Sequence, residues 1–380
     1  MKALSVIVAV FCGVFIAVGS AFAQIWTLHP GITGIAASSA DGGRFIIAGA
    51  GFYASTNLGT TWMLLNSLVV HPSCLASSAD GSKLVVGGHV PDTVYTSTNS
   101  GITWDQHNNS PHYGPFTQLR AMASSSDGSK LVAVLYGTCP TFTSVDSGVT
   151  WITNSTPVEY WTSVASSADG SKLAVAGYYN VYTSTNSGVT WVSNNVPVSD
   201  WGSVVSSTDG TKLMASSYGA GLYRSTDCGA NWTSIGQSNL FGVIASSADC
   251  SKLVLWRYGE IFSSANSGQT WITDSVPFMV WTSVASSADG NKLVATTQSG
   301  GIYTSYSTPV PQLNLTSSTG NLTFSWLVPS TNFVLQQNFD LTPANWVTLT
   351  NTPVLNLTNL QDEVVLPPTN SSGFFRLISQ

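Results

Sequence analysis

The chain has 380 residues, of which 8% are charged and 11% aromatic, and its 12 Lys and Arg against 18 Asp and Glu give a formal charge of −6. An ordinary soluble protein carries about 25% charged residues, so Ser, Thr, Asn and Gly replace charge here, and these residues favour strands and turns over helices. The composition excludes an electrostatic nucleic-acid binder, because contacts to phosphate need clustered Lys and Arg.

The first 23 residues have the three parts of a secretory signal peptide. Lys2 supplies a positive charge, residues 4–18 are almost wholly apolar, and Ala21-Phe22-Ala23 is a small-x-small cleavage site. A membrane anchor is the alternative, but the apolar run is short for a bilayer span. We therefore expect residues 1–23 to be removed and the mature chain to be exported to the periplasm, cell surface or medium, with no transmembrane segment.

A segment of the form Ser-Ser-x-Asp-Gly/Cys-x-Lys/Arg-Leu/Phe recurs seven times. Each unit is about forty residues long and contains short alternating apolar runs, such as residues 173–176 and 181–183, bounded by turn residues. Four short strands in about forty residues describe one blade of a β-propeller. The repeat aspartates are Asp41, Asp80, Asp127, Asp169, Asp209, Asp249 and Asp289.

A second motif, Ser-x-Asp/Asn-x-Gly-x-Thr/Asn-Trp, occurs in six of these units. It resembles the Asp-box, also called the bacterial neuraminidase repeat, of sialidase-like propellers. The Asp or Asn side chain closes a turn onto nearby backbone N–H groups, and Gly takes the positive φ. The resemblance implies an all-β fold with a seven-bladed β-propeller over residues 24–308. The structural box residues are Asn57, Asn99, Asp146, Asn186, Asp227 and Asn266.

The seventh unit has no box of its own, because its last strand is followed by Pro309 and Pro311. At the other end of the chain, Trp26 precedes the first repeat just as Trp191 precedes the fifth. We expect the N-terminal strand to complete the blade that begins at Trp281. This pairing closes the ring and removes a free sheet edge.

Residues 309–380 lack the repeat and contain about six short strands, enough for a small β-sandwich-like domain. This segment resembles the C-terminal β-domains ending in Phe-Phe-Arg-Leu on secreted proteins of verrucomicrobial and planctomycete bacteria. The resemblance leaves its role open between surface attachment and a passive module.

Two cysteines depart from the repeat in neighbouring units. Cys228 lies in a box turn, and Cys250 replaces the Gly of the next Asp-Gly turn on the same face. In an oxidising compartment this placement predicts a Cys228–Cys250 disulfide. The five His are scattered without zinc-site spacing, so we expect no metal and no cofactor.

The resemblance places ligand binding on the face opposite the boxes, at the mouth of the channel. Loops of that face carry aromatic rings, whose flat surfaces suit sugar C–H groups. For Trp161, Trp201 and Trp281, the alternative is packing between blades, because they share one repeat position. The predicted ligand-binding residues are Tyr113, Tyr160, Trp161, Tyr179, Trp201, Arg257, Tyr258 and Trp281.

Sialidases grip their substrate with three arginines, and only Arg120 and Arg257 of the propeller are free of the repeat and the boxes. We therefore expect a non-catalytic, monomeric binding protein for a glycan or a surface protein. The first alternative is a glycoside hydrolase, for which two carboxylates must converge. A second alternative is a scaffold for assembly of a partner protein. The catalytic candidates for a hydrolase are Glu159, Asp200 and Glu260.

Overall fold

The computed structural model describes residues 26–66, 72–88, 93–107, 111, 118–235, 240–306, 313–318, 321–327, 333–338, 346–356, 358–359, 361–366 and 374–379. The predicted signal peptide and Tyr113 lie outside these residues. Every helix or strand within them is a β-strand, and all paired strands are antiparallel. The chain divides into two compact units at residue 309.

Within the described part of residues 26–306, the strands form seven sheets, numbered here in chain order. The first strand, β1 (Trp26–Pro30), belongs to sheet 7. Sheet 1 has β2 (Gly34–Ser38), β3 (Phe45–Gly49), β4 (Phe52–Ser55) and β5 (Met63–Asn66), and sheet 2 has β6 (Pro72–Ser77), β7 (Leu84–Gly88), β8 (Val94–Ser97) and β9 (Asp105–His107). Sheet 3 has β10 (Gln118–Ser124), β11 (Leu131–Tyr136), β13 (Phe142–Ser144) and β14 (Ile152–Thr153).

Sheet 4 has β12 (Thr138–Cys139), β15 (Glu159–Ser166), β16 (Leu173–Gly177), β17 (Val181–Ser184) and β18 (Val192–Ser193). Sheet 5 has β19 (Asp200–Ser206), β20 (Leu213–Tyr218), β21 (Gly221–Ser225) and β22 (Thr233–Ser234). Sheet 6 has β23 (Val243–Ser246), β24 (Leu253–Arg257), β25 (Glu260–Ser264) and β26 (Ile272–Thr273), and sheet 7 adds β27 (Trp281–Ser286), β28 (Lys292–Thr297) and β29 (Gly301–Tyr306) to β1.

The second unit contains two further sheets. They share a core of Phe324, Trp326, Leu335 and Val364, and the rings of Phe324 and Phe375 lie 4.2 Å apart. One sheet has β30 (Asn314–Ser318), β31 (Asn321–Leu327), β34 (Val354–Asn356) and β35 (Gln361–Leu366), and the other has β32 (Phe333–Asn338), β33 (Val347–Thr348) and β36 (Phe374–Ser379).

The repeated Ser-Ser-x-Asp-Gly segment forms the turn between the first two strands of each sheet. In sheet 4, the Ser167 hydroxyl donates to Oδ1 of Asp169 at 2.6 Å, and the backbone N–H of Ser171 donates to the same oxygen at 2.9 Å. Gly170 has φ +67°, and a Cβ at this position would lie 2.8 Å from Cδ of Lys130 in sheet 3. In sheet 4 glycine therefore suits both the turn and the close contact with the preceding sheet.

These turns are linked by backbone hydrogen bonds in a closed circle. The residue before each repeat Asp donates its N–H to the carbonyl of the equivalent residue in the next sheet, at 2.6–2.8 Å. The last bond runs from Ala288 back to Ala40, and β27 contacts β2. The donors in order are Ala40, Ala79, Ser126, Ala168, Thr208, Ala248 and Ala288.

The N-terminal strand pairs with the last strand of the first unit. In the register of β1 and β29, Trp26 lies opposite Ser305 and Pro30 opposite Gly301. The indole Nε1 of Trp26 donates to Oδ2 of the buried Asp274 at 3.0 Å. Strand β1 is therefore held both by the backbone of sheet 7 and by a side chain of sheet 6.

Three tryptophans predicted to bind ligand lie in the core instead. Trp161, Trp201 and Trp281 are 2, 0 and 2% exposed. Their indole N–H groups donate to backbone carbonyls, and each ring meets a tyrosine of its own sheet edge to face at 5.1–5.6 Å. The prediction that these three tryptophans bind ligand is therefore wrong, because a buried ring with a satisfied N–H has no face open to solvent.

The predicted disulfide is also wrong, because Cys228 and Cys250 are free thiols in the structure. Cys250 takes the position and positive φ of the repeat glycine. Its sulfur points at the carbonyl of Lys212 and the hydroxyl of Ser246, each 3.9 Å away. Burial raises the pKa of this thiol to about 12.

Candidate functional site

One face of the first unit carries a row of exposed tyrosines. Each lies nine residues after a repeat Asp, at the end of the second strand of its sheet, so sheets 3 to 6 present them at the same end. This end is opposite the box turns, because the box follows the third strand and successive antiparallel strands reverse direction. The four are Tyr136, Tyr178, Tyr218 and Tyr258, which are 54, 43, 59 and 58% exposed.

Tyr160 joins the first two of these tyrosines. It is the second residue of β15, and its ring packs edge to face on Tyr136 at 6.5 Å and stacks on Tyr178 at 5.6 Å. Three rings from sheets 3 and 4 therefore form a continuous surface.

Phe241 joins the other two tyrosines. Its ring meets Tyr218 at 4.6 Å and Tyr258 at 5.3 Å, both edge to face. The guanidinium carbon of Arg257 lies 4.5 Å from the centre of Phe241 and 4.7 Å from that of Tyr258. These cation–π contacts hold the guanidinium in place. Its Nε is buried without a hydrogen-bond partner.

We call the six rings the aromatic arc. Asp200, an exposed residue of β19, lies opposite Tyr218 in the strand register, between the two halves of the arc. The members of the arc are Tyr136, Tyr160, Tyr178, Tyr218, Phe241 and Tyr258.

Glu159 contacts the turn that carries Tyr178, in the half of the arc formed by Tyr136, Tyr160 and Tyr178. It is buried, and its Oε1 accepts the backbone N–H of Tyr179 at 2.9 Å, while Oε2 has no partner. Burial raises the pKa of this carboxyl above its usual range. Glu159 therefore fixes the turn that presents Tyr178.

The structure brings together some of the residues predicted from sequence. Tyr160, Arg257 and Tyr258 belong to the arc or touch it, and Tyr179 is exposed in the turn held by Glu159. The three predicted carboxylates lie on different sheets: Glu159 is buried in sheet 4, and Asp200 and Glu260 are exposed on sheets 5 and 6.

The ligand-binding residues predicted from sequence omit four members of the arc, Tyr136, Tyr178, Tyr218 and Phe241. For the three tyrosines the signal was available in the constant spacing of nine residues from the repeat Asp, which they share with Tyr258. Among the residues that the structure describes, there is no group of three or more His, Cys, Asp or Glu placed to hold a metal ion. No described helix has the length and hydropathy to cross a bilayer.

The box residues lie at the other end of the sheets and are used within their own turns. In sheet 3, Asp146 accepts the Ser144 hydroxyl at 2.8 Å and the backbone N–H of Thr150 at 2.9 Å through Oδ1. Asn186 takes the same role in sheet 4, accepting from Ser184 at 2.9 Å and from Thr190 N–H at 2.8 Å.

No protein-family model and no curated protein matches the chain. Among solved structures it is similar to one described as YCF48 bound to D1 peptide, with 17% identity and a TM-score of 0.57 over 75% of this chain and 97% of that chain. It is also similar to the Cps50 (Swd1) β-propeller domain of Myceliophteria thermophila, with 10% identity and a TM-score of 0.61 over 75% of this chain and 100% of that chain. At these identities the likeness establishes the fold, and the fold is a β-propeller.

Proposed function

We propose that this chain is an exported, monomeric, non-catalytic binding protein whose ligand lies along the aromatic arc. In this proposal the seven sheets are the blades of an Asp-box propeller that β1 closes. The observation that carries the binding role is the arc itself. Tyrosines that recur at one position of four successive repeats, and remain exposed there, are not needed for the core.

The first candidate ligand is a peptide segment of a partner protein. Tyr and Arg are the residues that dominate the binding energy of protein interfaces, and the arc combines exposed Tyr rings with Arg257. A structural neighbour is described as bound to a peptide, and this precedent for a similar fold supports the choice.

A glycan is the second candidate, favoured by the exposed ring of Tyr179, which is 61% exposed beside the arc. A flat ring open to solvent suits sugar C–H groups.

A peptide phage library and a glycan array, each probed with residues 24–380, test the proposal. We expect selected peptides to bind the unaltered chain and to lose at least tenfold in affinity when Tyr218 and Tyr258 are both changed to Ala. Tyr306→Ala is the matched control, because Tyr306 is 59% exposed at the opposite end of its sheet.

Equal loss in the Tyr306→Ala control, or selected ligands indifferent to both changes, would refute the arc as the binding surface. If glycans rather than peptides bind, and their affinity falls in the Tyr218 and Tyr258 double variant but not in Tyr306→Ala, the second candidate is established. Release of reducing sugar from a polysaccharide panel, abolished by Asp200→Asn or Glu260→Gln, would instead make the chain a glycoside hydrolase.

A further inference from the structure

A cavity of about 330 Å³ lies between sheets 2 and 3, at the end of the sheets that carries the boxes. The repeat provides an internal comparison, because the corresponding space between sheets 3 and 4 measures about 10 Å³. All nine residues that line the smaller space have equivalents by repeat position in the wall of the larger one. Six further residues line only the larger space, and Asp105 and His107 are two of them.

The outer strand of sheet 2 differs from its neighbour at two of these residues. Asp105 stands where sheet 3 has Ile152, and His107 stands where sheet 3 has Asn154. Both His107 and Asn154 bond to a threonine of the third strand, at 2.8 and 3.0 Å. The amide of Asn154 also reaches the box glycine of the next sheet, with Nδ2 3.2 Å from the position of a Cβ on Gly188. In sheets 2 and 3, the cavity instead continues outward to Asp105 and Asp146.

The cavity combines an apolar floor with an acidic rim. Its floor includes the buried side chains of Leu84, Val85 and Leu131. The exposed carboxylates of Asp105 and Asp146 lie at its outer side. Burial raises the pKa of Asp146 and hydrogen bonds from Thr150 and Ser144 lower it, and the lowering prevails, so this carboxylate is charged at neutral pH.

One cation also lines the cavity, but its charge is offset. Lys83 interacts electrostatically with Asp127, the repeat Asp of sheet 3. The uncompensated charge at the rim is therefore negative. No Phe, Tyr or Trp ring is among the described residues that line the cavity, so it lacks the broad flat surface that suits a sugar.

We propose that this cavity binds a small aliphatic ammonium ligand, with the alkyl chain on Leu84 and Leu131 and its ammonium groups at the two carboxylates of the rim, Asp105 and Asp146. The volume is at the lower end of the range for small-molecule pockets, about 300–1,000 Å³, which fits a short diamine and excludes a polymer. A charge-assisted hydrogen bond to the carboxylate supplies the specificity for the cation. This site is separate from the aromatic arc and independent of what the arc binds.

Titration calorimetry of residues 24–380 with 1,5-diaminopentane, and with 1,5-pentanediol as its neutral isostere, tests the proposal. We expect the diamine to bind and the diol to bind at least tenfold more weakly. Asp105→Asn should weaken diamine binding at least tenfold. Asp200→Asn, which removes the same charge from another exposed position, should leave it unchanged.

A thermal melt of each variant checks that it folds, and both substituted residues are exposed and outside the core. Equal binding of diamine and diol would overturn the proposal, as would an absence of diamine binding to the unaltered chain. An equal loss in Asp105→Asn and Asp200→Asn would show attraction to net charge alone and would also overturn it.

Discussion

Glu159 shows how a single side chain connects stability with the candidate binding face. Its carboxylate accepts a backbone N–H from the turn that presents Tyr178, while its second oxygen is buried without a partner. Burial raises the pKa of the group above 4.5. The folded state then holds the proton more tightly than the unfolded state, so this group lowers stability as the pH rises from 4.5 towards the folded pKa.

We predict that Glu159→Gln removes this pH-dependent loss. Gln keeps an oxygen for the Tyr179 N–H and carries no charge to desolvate. The melting temperature of the variant relative to the unaltered chain should therefore be higher at pH 7.5 than at pH 4. Glu260→Gln is the control, because Glu260 is exposed. The melting temperature of this variant relative to the unaltered chain should be the same at both pH values. A difference for Glu159→Gln that is the same at both pH values contradicts the prediction.

At the scale of strands and turns, the sequence was informative wherever a local pattern repeats. The hairpins and box turns follow from Ser, Asp and Gly at fixed offsets, because these bonds close within a few residues. Side-chain direction was harder to predict. Cys228 and Cys250 depart from the repeat in neighbouring sheets, but both are free thiols, and the Cys250 sulfur contacts the carbonyl of Lys212. The arc was only partly predicted, because its rings meet between sheets.

Strand β1 stabilises sheet 7 through its pairing with β29. We expect the chain without residues 1–30 to melt at least about 5 °C below the chain without residues 1–25, since about 1 kcal/mol shifts Tm by about 2–4 °C in domains of about 150–250 residues. Removing β1 unpairs an edge of β29 and takes the Trp26 indole from the buried Asp274.

Trp26→Phe separates the strand from the side chain, because it keeps the backbone pairing and loses the indole hydrogen bond with part of the ring's packing. Its melting temperature should fall between those of the two truncated chains. Equal melting of the chains lacking residues 1–25 and 1–30 would show that β1 contributes nothing to the first unit.

For the whole molecule, hydrogen bonds between sheets replace the missing charge. Besides the circle of seven backbone bonds, serine hydroxyls of one first strand accept N–H groups from the next, as Ser163 does from Val204 at 3.1 Å. The lysine of the repeat works in the same way. Lys172 donates to the carbonyl of Asp209 in sheet 5 at 2.7 Å, and Lys292 donates to that of Asp41 in sheet 1 at 2.9 Å. The sheets are therefore stabilised as a ring rather than one by one.

Acid should weaken this ring at many points together. Hydrogen bonds within the turns outweigh burial and lower the carboxyl pKa of five repeat aspartates, to about 2 for Asp127 and Asp169. Asp289 is the opposite case, since burial raises its pKa. For the five, the folded state disfavours the proton, so their stabilisation is present above pH 3.8 and is lost as the pH falls towards 2.

We predict that the melting temperature falls steeply from pH 5 to pH 2, and that Asp127→Asn with Asp169→Asn makes the fall shallower. Asn replaces Asp in four box turns, where its Oδ1 accepts the N–H that the box Asp residues accept in the other two. This is a precedent for the same exchange in the repeat turns, so the variant should fold. It should be less stable at pH 5, because a neutral acceptor is weaker, and approach the unaltered chain at pH 2. Asp200→Asn should leave the profile unchanged. Parallel profiles for the double variant and the unaltered chain would contradict the prediction and place the acid sensitivity outside these two turns.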